Sequence, residues 1–286
     1  MWVLLALIGA VADAAYYAFV KKSQENRTSP FGIASKIFLC AGIIIGIVSL
    51  CHGIPPIGHL FWLAIAAATI VATTTVALYF RALHTTDLSL TVPMLSFTPV
   101  IMLLTSYVLL HESVSWGGFA GIILIILGSY TLNINDQKNL LAPFRAMWHN
   151  AGVRAMLLVA VLFAVGAPLD KLIVRESDPF FGAAIIYFLL AVTCYAISRS
   201  INEPALDRSP RLWRSLLFGS LALSLVAISI NLAYTYQIVP YVIAIKRLSI
   251  VFSVIIGGLF FREKNWRWRL AGAIILVAGA IIISTQ

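Results

Sequence analysis

Ten apolar segments follow one another along the chain, separated by short polar stretches. They run over 2–20, 31–51, 59–79, 88–110, 116–132, 154–174, 179–198, 212–236, 239–261 and 266–284. A helix rising 1.5 Å per residue crosses a bilayer core of about 30 Å in about 20 residues. None of the segments alternates apolar and polar positions as a barrel strand does. Unpaired backbone is not tolerated in lipid, so each segment is predicted to be a helix. The pattern therefore predicts an all-α polytopic membrane protein of ten transmembrane helices. Residues 133–153 form a polar connector between a half at 1–132 and a half at 154–286. The first segment lacks a basic leader and a small-x-small cleavage site, so it reads as a span rather than a signal peptide.

The ninth segment is the exception to the apolar rule. It reads VPYVIAIKRLSIVFSVIIGGLFF, with Lys246 and Arg247 near its middle. A cation at that depth costs about 2.5–3.5 kcal/mol on insertion scales, so two together call for a counter-ion, a wet cavity or an anionic ligand. On a helix, Lys246, Ser249, Ser253 and Gly257 share one small polar face, and Arg247 stands ~100° around from Lys246. A planar guanidinium beside a point charge suits a phosphate or a carboxylate. The alternative is that both side chains serve backbone carbonyls or snorkel to the surface.

The two halves repeat. Residues 111–128 read HESVSWGGFAGIILIILG and residues 262–279 read REKNWRWRLAGAIILVAG. One offset lays Glu112 on Glu263, Gly121 on Gly272 and Gly128 on Gly279, and Thr98 on Ser249 upstream. An odd number of spans per repeat reverses the exit side, so the second five-helix repeat is inverted, a transporter signature.

Charge changes the picture in one respect, orientation. Lys21, Lys22, Arg27, Arg81, Lys138, Arg145 and Arg154 fall in loops one, three and five; Arg199, Arg208, Arg211, Arg214, Arg262, Lys264, Arg267 and Arg269 fall in loops seven and nine. The other side has Lys171 and Arg175. Basic loops mark the cytoplasmic face, which puts the connector inside and both termini outside. Composition agrees with a membrane protein: 61% of residues are hydrophobic and 11% charged, against about 25% charged in soluble domains. The net charge of +9 lies between apolar segments, so it sets orientation and gives no argument for nucleic acid.

The five-plus-five inverted repeat, with a glutamate, a short loop and a Gly-rich span ending each half, resembles the drug/metabolite transporter superfamily, EamA type. The resemblance covers nearly the whole chain and implies a secondary transporter in a membrane, here expected to be a bacterial plasma (inner) membrane. Family members usually hold both termini in the cytoplasm; the charge bias here says the reverse. Ile245-Lys246-Arg247 also resembles the Lys-Arg pair with which plastid phosphate translocators, distant members, hold substrate phosphate. Those proteins add a lysine from the first half, whereas residues 88–110 here contain no Lys or Arg. A carboxylate would need fewer cations.

Other polar residues lie at membrane depth. Asp13 in the first span shares a face with Tyr17 at i+4, and it would balance the cations, exchange protons, or sit wet near a membrane surface. Asn231 and Tyr234 share a face of the eighth span with Ser220, Ser224 and Ala227, where the serines suit helix packing. Thr91, Thr98 and Thr105 recur every seven residues in the fourth span, broken by Pro93 and Pro99, which free backbone carbonyls. The expected substrate-binding set is thus Lys246, Arg247, Asp13, Tyr17, Asn231, Tyr234, Ser249 and Thr98. Glu112 and Glu263 are expected to cap or pair locally. Gly42-x-x-x-Gly46 and Gly117-x-x-x-Gly121 suit close packing, either within the chain or between copies in a homodimer.

The leading reading is a secondary transporter of a small anionic metabolite, alternating access around a central cavity with Lys246 and Arg247 as anchor. Alternatives are an exporter of amino acids or other neutral or zwitterionic compounds, and a lipid-phosphate carrier or flippase, with membrane lipid as partner. No nucleophile with a base, metal-ligand spacing, carboxylate dyad or ATP-binding loop is visible, so no catalytic residue, metal or cofactor is expected and an enzyme is disfavoured. Cys40 and Cys51 lie roughly 16 Å apart on one helix, too far for a disulfide.

Overall fold

A computed structural model describes residues 1–24, 29–86, 88–133, 141–206, 209–253 and 266–286. Among these residues the backbone is helical and no strand forms. The helices are α1 (Trp2–Gln24), α2 (Pro30–His52), α3 (Phe61–Thr85), α4 (Leu88–Thr91), α5 (Thr98–Leu110), α6 (Trp116–Asn133), α7 (Ala142–His149), α8 (Ala151–Glu176), α9 (Phe181–Ser200), α10 (Pro210–Tyr234), α11 (Val239–Lys246) and α12 (Trp266–Ser284). A 3₁₀ stretch, Val92–Phe97, joins α4 to α5. Among the described residues eight helical stretches are long and apolar enough to cross a membrane, and they coincide with the first eight segments of the sequence. α12 adds a shorter apolar run, Leu270–Ser284. Residues 254–261 of the ninth segment, and Glu263, lie outside the described residues.

Two expectations change. The fourth segment is not one helix but α4, the 3₁₀ turn and α5, because Pro93 and Pro99 each remove a backbone donor from the ladder. Lys171 is not a loop charge: α8 continues to Glu176 and buries it to 5% exposure.

The chain divides into two compact units, and each draws on both halves of the sequence. Unit 1 comprises Met1–Thr73 and Leu169–Tyr236; unit 2 comprises Thr74–Pro168 and Gln237–Gln286. In unit 1, α1 packs on α10 and α2 on α9. Both pairs are antiparallel: Phe19 stacks on Phe218 while Gly9 meets Ile230, and Ser35 bonds Ala191 O while Gly42 meets Phe188. The serine stripe of α10 is structural, since Ser220 and Ser224 donate to their own helix at Leu216 O and Ser220 O. Gly42 and Gly46 face α9, so this pair packs within the chain.

In unit 2 the main pair is α6 with α12. A Cβ on Gly121 would stand 3.0 Å from Gly279 O, and one on Gly279 2.6 Å from Gly121 O. A Cβ on Gly128 would stand 2.7 Å from Gly272 O, and one on Gly272 3.1 Å from Gly128 O. The two helices are antiparallel, and glycine lets their backbones touch at two levels. The connector contains α7, whose Phe144 rests on Phe97 and Tyr130 at ring separations of 5.5 and 5.8 Å.

Candidate functional site

Unit 2 holds the cation pair, and it places the pair at the end of a half-helix. Pro240 occupies the first turn of α11, where its missing N–H costs nothing and its fixed φ suits the helix. The helix runs to Lys246 and then tightens. Leu248 N bonds Ile245 O at 3.0 Å and Ile250 N bonds Arg247 O at 3.1 Å, an i→i−3 pattern in place of the α ladder. Helical backbone resumes at 249–253. The ninth apolar segment is therefore interrupted at Arg247-Leu248, with Lys246 on the last turn of α11 and both cations half-buried. The C-terminal end of a helix carries partial negative charge and favours cations there.

The opposite end of α11 is also matched. The Glu112 carboxylate, buried to 6% exposure, accepts from Val239 N at 2.9 Å and from Ser106 Oγ at 2.5 Å. Negative charge thus meets the N-terminus of α11 and positive charge its C-terminus. Tyr241 Oη stands 3.1 Å from both Ser115 N and Ser115 Oγ, fastening the same end to the loop before α6.

The interruption of the fourth span faces that of the ninth apolar segment. Arg247 Nη2 donates to Leu95 O at 3.0 Å. Leu95 lies in the 3₁₀ turn, and its carbonyl also accepts from Thr98 N and, at 2.8 Å, from Thr98 Oγ1. Ser96 Oγ pairs with Ser129 Oγ at 2.9 Å, which fixes the turn to α6. Thr98 and Ser249 are buried to 1% and 5% exposure.

Unit 1 holds the other expected residues. Asp13 is buried to 9% exposure, whereas Tyr17 is 47% exposed. Asp170, Tyr16 and Asp13 all lie close enough to Tyr187 to act on it through space. Asn231 Nδ2 donates to Pro179 O at 3.0 Å, and Tyr234 is buried. The expected set is thus divided, with Lys246, Arg247, Ser249 and Thr98 in unit 2 and Asp13, Tyr17, Asn231 and Tyr234 in unit 1.

Three features escaped the sequence. Asp170 and Lys171 lie inside the sixth segment, 154–174, yet Lys171 counts there only as a charge of the opposite side and Asp170 carries no marked spacing; the helical pattern that runs unbroken to Glu176 is the signal that places both on a span. Tyr187 lay in an apolar segment without a marked spacing. The break at Arg247 has no proline or glycine near it, but the internal repeat lays Ser96, beside Pro93, on Arg247.

The model of the EamA-like transporter family matches this chain over residues 1–134 and again over 150–285. No curated protein matches the chain in sequence. One solved crystal structure, described only as that of a protein, superposes with a TM-score of 0.80 at 14% identity, covering 99% of this chain and 96% of its own. At that identity the likeness concerns the fold alone. With eight apolar helices of spanning length among the described residues, the match makes this an integral, multi-pass membrane protein.

Proposed function

The chain belongs to the EamA-like transporter family, and from that premise we propose that it is a secondary transporter of a small metabolite bearing a carboxylate or phosphate, working by alternating access with Lys246 and Arg247 as anion anchor. One observation carries the reading: two cations stand at the interruption of a membrane span, opposite a second interrupted span. Broken helices in corresponding positions of two repeats are where transporters of this build bind their cargo. Exposed helix ends and freed backbone groups make such a place polar, and cations inside a membrane mark a pathway for charge.

The finer architecture belongs to the same proposal. Ten helices form two inverted repeats, 1–132 and 154–286, joined by 133–153. The double family match supports this. So does the α6–α12 pair, where the contact of Gly121 with Gly279 becomes that of Gly272 with Gly128 when the repeats are exchanged. The connector faces the cytoplasm of a bacterial inner membrane, both termini lie outside, and the work is transport rather than catalysis.

A thermal-shift panel on the detergent-purified protein tests the substrate class, with sugar phosphates, organic acids, nucleotides, amino acids and anionic phospholipid as arms. A ligand at 100 times its Kd stabilises the protein that binds it by about 2.7 kcal/mol. The expected result is a rise in unfolding temperature with phosphorylated or carboxylate metabolites, lost in Lys246→Ala. A shift from amino acids alone turns the reading to a zwitterion exporter, and one from phospholipid alone to a lipid carrier. A metabolite shift that survives Lys246→Ala unchanged removes the anchor.

A further inference from the structure

Leu95 O is an unusually crowded acceptor. A carbonyl oxygen has two lone pairs, yet this one takes the Thr98 amide, the Thr98 hydroxyl and Arg247 Nη2. The third donor is a cation, and charge-assisted hydrogen bonds are roughly twice as strong as neutral ones. It comes from 152 residues away, across from the other interrupted span. The internal repeat makes the meeting specific, since its offset lays Leu95 on Lys246, Ser96 on Arg247 and Thr98 on Ser249. Arg247 is also the residue that closes α11, with its own N–H shared between Ile243 O and Ala244 O. A movement of the α11 terminus therefore carries the guanidinium with it, and the guanidinium carries the 3₁₀ turn.

We infer that the two members of the cation pair divide their work. Arg247 is a positioning residue that latches the interrupted fourth span to the interrupted ninth through Leu95 O. Lys246 is the member whose charge meets the cargo. The division of labour rests on the anion-site reading above; the latch itself does not. Arginine suits the task because a planar guanidinium presents five donors, so that one can hold a carbonyl while others remain directed elsewhere. The loss of the latch removes the charged donor from Leu95 O and leaves that carbonyl to Thr98 alone, and the turn at 92–97 then opens independently of α11.

Hydrogen exchange followed by mass spectrometry on the ligand-free protein in nanodiscs tests the latch. In Arg247→Gln, amides of the 94–98 stretch exchange about ten times faster than in wild type. In Lys246→Gln they exchange at the wild-type rate. Arg247→Lys, which keeps a single cationic donor, gives an intermediate rate, and it serves as the deciding variant if Arg247→Gln does not fold. An unchanged 94–98 stretch in the Arg247 variants, or an equal acceleration in Lys246→Gln, overturns the latch. The same variants enter the thermal-shift panel. Lys246→Gln abolishes the metabolite-induced shift and Arg247→Lys keeps it; the reverse outcome overturns the assignment of cargo to Lys246. Because the exchange arm contains no ligand, absence of any metabolite shift in wild type removes the anion reading and leaves the latch to be decided by exchange alone.

Discussion

Three glutamates near the ends of membrane spans do the same job at the residue scale: each supplies a carboxylate to the N-terminus of a helix far away in sequence. Glu203 accepts from Phe31 N at 3.3 Å and Gly32 N at 3.0 Å at the start of α2, beside the N-cap Ser29. Glu176 accepts from Leu60 N at 3.0 Å, just before α3. Glu112 accepts from Val239 N at 2.9 Å. The first amides of a helix have no partner within it, and a carboxylate there answers both the donor and the dipole. Glu112→Ala strands a buried amide and is expected to cost about 1–3 kcal/mol, whereas Glu112→Gln keeps an oxygen acceptor and costs less. Glu203→Ala is expected to cost about 1 kcal/mol, because Ser29 Oγ still accepts from Gly32 N at 2.9 Å. Unfolding midpoints in detergent, ranked Glu112→Ala below Glu203→Ala below wild type, check the pair; equal midpoints for all three would sink the account. Sequence reasoning gave Glu112 a cap or a local pair. A cap is what it makes, but on a helix 127 residues away. A local cap leaves a fixed spacing, whereas a distant one leaves none.

At the scale of the elements, hydropathy found where the spans lie and missed how two of them are built. Segment positions follow from apolar runs, and those agree with eight helices to within a few residues. Backbone interruptions do not change hydropathy, so 88–110 and 239–253 read as unbroken although each is cut near its middle. The prolines announced a bend in the fourth span; the ninth span carries no such mark, and only the repeat could have transferred it. Glycine pairing shows the same contrast. Gly128 and Gly46 look alike in sequence, each in an apolar helix, but their surroundings differ. A Cβ at Gly128 would stand 2.5 Å from Leu276 N, whereas one at Gly46 meets nothing closer than 3.7 Å. Gly128→Ala must push α6 off α12 and is expected to cost about 1–3 kcal/mol as an overpacked core does. Gly46→Ala is expected to be neutral, or to stabilise by up to about 1 kcal/mol through helix propensity. Unfolding midpoints of the two variants against wild type decide it, and a loss in Gly46→Ala equal to that in Gly128→Ala would contradict the contact geometry.

For the whole molecule the open choice is direction. If the two halves are inverted as proposed, the packing within them does not favour one orientation, and charge must. Basic residues cluster in the odd loops of both halves, and positive loops stay in the cytoplasm. In the proposed orientation the loop between α2 and α3 faces outward, and the chain carries a natural reporter there. Cys51, in the last turn of α2, is exposed, while Cys40 is half-buried and Cys194 buried. A membrane-impermeant maleimide added to intact cells should therefore label the protein, and Cys51→Ser should abolish the labelling. Arg145, exposed on α7 in the connector, supplies the opposite reporter. In a Cys51→Ser background, Arg145→Cys should react after the cells are permeabilised and not before. Labelling of Arg145→Cys from outside, with Cys51 silent until permeabilisation, would place both termini in the cytoplasm as in most of the family. The fifteen basic residues of the odd loops would then face outward against the charge rule, and their retention would need a reason other than insertion, such as drawing an anionic metabolite toward the outer mouth of the carrier.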